Sequence, residues 1–125
     1  MMTCIFHAES PYHILLSLAI EDRTNHNVMT IRDTFNAGKL VNHIQTWNSN
    51  PFDCIQILPS EALENPLSAI FARSRQVIMA RNLVNRLSPD ELYVGTDRSA
   101  ASQALLHYTD ESVEKSYFED GLHAY

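Results

Sequence analysis

Short apolar runs alternate with segments of helical periodicity along the whole chain, and this alternation limits its fold more than any other feature. Thr3 to Phe6 is a short apolar run that predicts a first strand. Ser10 then offers a side-chain oxygen for an N-cap, and Pro11 suits the first helical position. Ile14, Leu15, Leu18 and Ala19 follow at helical spacing until the pattern fades near Glu21 and Asp22. After the polar turn at Asn25 to Asn27, Val28 to Ile31 reads as a second strand. Lys39 to Trp47 reads as a second helix, with Leu40, Val41, Ile44 and Trp47 on one face, closed by Asn48-Ser49-Asn50-Pro51. Cys54 to Leu58 predicts a third strand, closed by Pro59. The longest helix is expected over Leu67 to Leu87, with Leu67, Ile70, Phe71, Val77, Ile78, Val84 and Leu87 as its apolar positions, and Ser88-Pro89-Asp90 breaks it. Leu92 to Val94, Ser99 to Tyr108 and Val113 to Phe118 complete the series as strand, helix and strand.

Strands separated by helices in this way require crossover connections, which are right-handed and generate a mostly parallel sheet. The expected fold is therefore α/β: one Rossmann-like three-layer domain over residues 1–125, with about five strands in the order 3-2-1-4-5. A chain of 125 residues can bury a sufficient core without disulfides or metal. Nine Lys and Arg against fifteen Asp and Glu give a formal charge of −6, which argues against general nucleic-acid binding. No apolar run reaches the roughly 20 residues of a membrane span, and the N-terminus lacks the pattern of a signal peptide. Cys4 and Cys54 both fall in predicted strands and are read as two buried thiols in a reducing cytoplasm.

In such a fold, ligands bind outside the C-terminal ends of the strands. Those ends gather His7, Glu9, Ser10, Pro11 and Tyr12 after the first strand, and Arg32 and Asp33 after the second. Pro59 and Ser60 follow the third, Thr96, Asp97 and Arg98 the fourth, and Glu119, Asp120 and Gly121 the fifth. The chain holds only three glycines, Gly38, Gly95 and Gly121, so the glycine-rich turn of a dinucleotide site and the P-loop are both missing. No cofactor is expected. The backbone N–H groups near Pro11 to His13 can cradle an anion or simply be capped. Six histidines occur without His-x-x-x-His or Cys-x-x-Cys spacing, so no metal site is expected, and no nucleophile elbow supports a serine hydrolase. Arg73, Arg75, Arg81 and Arg86 on the long helix form either a solvated face or a surface that attracts an anionic acceptor or lipid.

Glu119-Asp120-Gly121 is the sharpest motif. A carboxylate within about 3 Å of an acceptor hydroxyl can serve as a general base. Adjacent like charges raise each other's pKa toward working pH. On a continuing strand, neighbouring side chains point to opposite faces, so one of the two would face the cleft. The alternative is a bare Asp-Gly turn at a strand end.

Two patches together resemble a known family. Ala8-Glu9-Ser10-Pro11-Tyr12-His13-Ile14-Leu15 resembles the Ser/Thr-Pro-Tyr start of bacterial sialyltransferases of the capsule and lipooligosaccharide type, which include the polysialyltransferases. Phe118-Glu119-Asp120-Gly121-Leu122-His123-Ala124-Tyr125 resembles their acidic-acidic-Gly motif. Gly95-Thr96-Asp97-Arg98 with Gln103-Ala104-Leu105 resembles their fourth strand-helix unit. The resemblance implies the N-terminal, acceptor-side domain of a two-domain GT-B glycosyltransferase that transfers sialic acid with inversion from CMP-sialic acid to a glycan hydroxyl, without a bound metal. It implies Glu119 or Asp120 as the catalytic base, and Ser10, Pro11, Tyr12, Asp97 and Gly121 in substrate binding. It also implies a cytoplasmic protein attached peripherally to the inner membrane. The family's His-Pro pair, which belongs to the donor-binding C-terminal domain, is absent from the 125 residues, and the chain alone is expected not to complete transfer. The alternatives are a non-catalytic Rossmann-like binding module and a free-standing small enzyme using the Glu-Asp pair directly.

Overall fold

The computed structural model describes residues 2–20, 24–33, 37–47, 50–59, 66–95 and 99–117. Within them the elements run β1 (Thr3–Ala8), α1 (Pro11–Ile20), β2 (His26–Arg32), α2 (Ala37–Gln45), β3 (Cys54–Leu58), α3 (Pro66–Leu87), β4 (Glu91–Val94), α4 (Ala100–Tyr108) and β5 (Glu114–Tyr117). The strands form one parallel sheet in the order β3-β2-β1-β4-β5. The Rossmann-like α/β architecture and the strand order are those expected from the alternation.

The two central strands are buried along nearly their whole length because helices cover both faces of the sheet. Side chains alternate between the faces. Cys4, Phe6 and Ala8 of β1 and Met29 and Ile31 of β2 pack with Ile14 of α1 and with Val41 and Ile44 of α2. Ile5 and Val28 point the other way, into Ala80, Leu83 and Val84 of α3 and Ala104 and Leu105 of α4. Helices α1 and α2 therefore form one outer layer, and α3 and α4 the other. Phe6 anchors the first side, stacked on Tyr93 at 4.8 Å between ring centroids and edge-on to Phe52 at 5.9 Å.

Aspartates fix the register at the N-terminal edge. Asp90 accepts from the Thr3 N–H at 2.9 Å, and its own N–H donates to the Thr3 carbonyl at 2.8 Å. Asp53 repeats the exchange with Asn27, at 2.9 and 2.8 Å. At the end of α3, Ser88 adopts a left-handed φ of 46° and donates its N–H to the Val84 carbonyl, so the Ser88-Pro89 break ends the helix as expected.

Four expectations are corrected. Strand β1 extends through Ala8, so His7 lies inside it as a fully buried side chain. Cys54 is exposed because it opens β3, an edge strand; Cys4 alone of the two thiols is buried. Helix α2 stops at Gln45, leaving Trp47 beyond its apolar face and exposed, and Leu67, Ile70, Phe71 and Ile78 of α3 point outward. The buried side of α3 is built from Ala72, Gln76, Ala80, Leu83 and Val84. Among the described residues, no helix is long and apolar enough to cross a membrane.

Candidate functional site

Strands β1 and β4 lie side by side, but β1 leads to α1 on one face and β4 is followed by α4 on the other. That divergence makes the β1/β4 boundary the topological switch point, where open α/β sheets form their ligand crevice. The registers His7↔Val94 and Val94↔Tyr117 bring β1, β4 and β5 to a common C-terminal edge.

Glu9 sits at this edge, in the turn between β1 and α1, with its side chain only 7% exposed. Its Oε1 pairs with Arg32 Nε of β2 at 2.9 Å. Its Oε2 lies 3.1 Å from His7 Nε2 and accepts a short hydrogen bond from the hydroxyl of Ser99. Because the carboxylate can only accept, His7 Nε2 carries a proton toward it, while His7 Nδ1 meets Thr30 Oγ1 at 2.7 Å. Burial pushes the Glu9 carboxyl up. Hydrogen bonds from His7 and Ser99, with the charges of His7 and Arg32, outweigh that effect and hold the group below its ordinary value of 4.5. Ser99 also caps α4, accepting from the Ser102 N–H at 3.1 Å. One carboxylate thus ties together the segments that leave β1 and β2 and the one that enters α4.

On the α1 side, Ser10 caps the helix: its Oγ accepts from the His13 N–H at 3.3 Å, and its carbonyl from the Ile14 N–H at 3.4 Å. His13 folds back so that Nδ1 accepts the Glu9 N–H at 3.0 Å. Its ring lies flat against Gly95 at the end of β4. A Cβ on Gly95 would sit 2.2 Å from His13 Cε1 and Nδ1 and 2.6 Å from Nε2, so only glycine admits the imidazole there. The close approach brings the start of α1 against the end of β4.

The expected residues divide accordingly. Ser10, Pro11 and Tyr12 lie at the switch point; Ser10 is engaged in the cap, whereas Pro11 and Tyr12 are exposed. Asp97, Glu119, Asp120 and Gly121 lie outside the described residues. Glu9, His7 and Arg32 were legible as strand-end residues. The parts played by Thr30, His13, Ser99 and Gly95 were not, although Ser99 ahead of an Ala-rich helical stretch carries the signal of an N-cap. Among the described residues, no group of three His, Cys, Asp or Glu side chains is arranged to hold a metal ion.

No family model, curated protein or solved structure matches the chain.

Proposed function

We propose that this chain is the acceptor-side domain of a sialyltransferase-like glycosyltransferase, with the donor nucleotide held by a further domain. The observation that supports the reading is that the strand preceding the acidic motif in the sequence ends at the sheet edge where the Ser-Pro-Tyr motif opens α1. Ser10-Pro11-Tyr12 opens α1 at the switch point, and β5 reaches the same edge at Tyr117, in register with Val94. Glu119-Asp120-Gly121 follows Tyr117 by two residues in the sequence.

In this reading, Glu119 or Asp120 takes the proton from an acceptor hydroxyl as its oxygen attacks the anomeric carbon of sialic acid. The bond to CMP breaks on the opposite side, inverting the centre. The exposed ring of Tyr12 offers a surface for a sugar, and Asp97 a carboxylate for its hydroxyls. Glu9 is the wrong carboxylate for the base. Its oxygens already accept from His7 and Ser99 and pair with Arg32, and those partners hold it ionised at a lowered pKa.

The test is acceptor-dependent release of CMP from CMP-sialic acid by the full-length gene product. Replacing both Glu119 and Asp120 by alanine should slow release about hundredfold or more, the span of a general base. Unchanged turnover in the double variant sinks the base assignment. No acceptor-dependent release from the unaltered protein sinks the transferase reading and leaves a binding module.

A further inference from the structure

The two edges of the sheet are built differently. Strand β5 ends one side and carries Glu114 and Lys115, the kind of charge that keeps an edge from pairing with another chain. Strand β3 ends the other and reads Cys54-Ile55-Gln56-Ile57-Leu58, with no charge and no proline. Ile55, Gln56 and Ile57 are half-buried, and among the described residues no strand lies beyond them.

The backbone of β3 shows what that edge can accept. The Leu58 carbonyl accepts the Asp33 N–H, so the peptide groups of Leu58 turn toward β2. These groups alternate sides along a strand, which turns those of Gln56 and Cys54 the same way and those of Ile55 and Ile57 outward. The outward donors and acceptors therefore stand symmetrically about Gln56. The residue types are symmetric too, with isoleucine on either side of Gln56 and apolar Cys54 and Leu58 beyond. A second β3 laid antiparallel, Gln56 against Gln56, satisfies every outward group. Ile55 of each copy exchanges both backbone hydrogen bonds with Ile57 of the other, and the two Gln56 residues form the non-hydrogen-bonded pair between them. Ile55 and Ile57 pack on the α1 and α2 side, so Gln56 stands on the α3 side, where it lines a cleft of about 270 Å³ with Met79, Asn82, Leu83 and Arg86.

The nearest charges do not oppose this pairing. Gln76 of α3 meets the Pro59 carbonyl, and Arg86 lies about 15 Å further along the helix, toward the start of β3, where Asp53 also sits. The two-fold sets that start near the second copy's Leu58 and Pro59, so neither Arg86 nor Asp53 faces its own counterpart. Glu61 and Glu64, the next charges in the sequence, lie outside the described residues. The contact also closes on itself, because each copy has one such edge.

We propose that the chain forms a two-fold dimer through β3, joining two five-stranded sheets into one continuous sheet. The dimer does not depend on the transferase reading, since no residue of β3 belongs to the proposed site.

Sedimentation velocity of the full-length protein, from micromolar concentrations upward, tests it and should show a reversible monomer–dimer equilibrium. Gln56→Glu and Gln56→Lys each set like charges about 5 Å apart on the axis and should weaken the dimer about tenfold or more. Mixing the two variants sets opposite charges there and should restore association, which a folding defect cannot do. In a Cys54→Ser background, Gln56→Cys should cross-link to a dimer on mild oxidation, because a non-hydrogen-bonded pair holds its Cα atoms about 4.5 Å apart, within reach of a disulfide. Cys54 of the unaltered protein should not cross-link, lying about 14 Å from its counterpart in this register. A monomer at every concentration, a dimer that both Gln56 charges leave intact, or cross-linking through Cys54 but not through Gln56→Cys overturns the assignment, and the first result leaves the edge to another protein's strand.

Discussion

Gly95→Ala is the substitution whose cost follows most directly from the geometry. The three imidazole atoms of His13 within 2.6 Å of the new methyl mean that rotation of the ring about its own axis cannot clear the contact; the whole side chain must swing away. His13 is 5% exposed and its Nδ1 accepts the Glu9 N–H, so the swing leaves that donor without its acceptor. An unsatisfied buried donor costs about 1–3 kcal/mol, and forcing a packed ring to a new position about 1–3 kcal/mol more. Alanine recovers about 0.5 kcal/mol by restricting the unfolded chain. The net loss is about 1.5–5.5 kcal/mol, a large share of the roughly 5–15 kcal/mol that holds a domain folded. Urea unfolding followed by circular dichroism should show a lower midpoint with an unchanged slope. The decisive arm is a cycle with His13→Ala. Without the imidazole, Gly95→Ala has nothing to strike, and its effect should fall to zero or become stabilising by about 0.5 kcal/mol. An equal penalty with and without His13 would refute the steric account.

Glu9→Gln keeps the size of the side chain and removes its charge; with Arg32 partly exposed, the loss should be about 1–3 kcal/mol in the same urea assay. The lowered pKa of Glu9 also sets a sign with pH: its contribution is complete above the ordinary value of 4.5 and disappears as pH falls through the lower folded-state value. The wild type should therefore lose part of its margin over the variant on acidification, and a constant difference down to about pH 3 would contradict the ion-pair reading. Cysteine labelling of the native chain should modify Cys54 rapidly and Cys4 only after unfolding; simultaneous reaction of both thiols would contradict the burial of Cys4.

The sheet was readable in the sequence because burial on both faces leaves a continuous apolar run. Val28 to Ile31, buried throughout, shows this, whereas Cys54 to Leu58, a partly covered edge strand, is read from its short apolar run between turn residues. Strand ends were less visible. His7 looks like a polar stop, yet the pairing of His7 with Thr30 and Glu9 keeps the ring satisfied inside β1 and lets the strand continue to Ala8. Helix α3 misled for a different reason. Its large apolar residues have helical spacing, but the face that meets the sheet and α4 is lined largely by Ala72, Gln76 and Ala80, whose small or hydrogen-bonding side chains give little apolar signal. Periodicity reports that a helix has an apolar face and is silent on which face the fold covers. The contacts of Glu9 with Ser99, ninety residues on, and of His13 with Gly95 lie beyond any local pattern.

The Glu9 cluster has a consequence for how the sheet edge can work. A cleft that must align an acceptor hydroxyl with a base needs its loops held in place before the substrate arrives. Here the segments leaving β1 and β2 and the one entering α4 converge on a single carboxylate, and α1 is drawn onto β4 by an imidazole seated on a glycine. Such an arrangement uses a buried acid for order, and that acid is then spent as a proton acceptor. In the proposed transferase reading, chemistry at this edge therefore comes from groups outside the cluster, and Glu119 and Asp120, two and three residues after Tyr117 in the sequence, are the carboxylates that reading assigns.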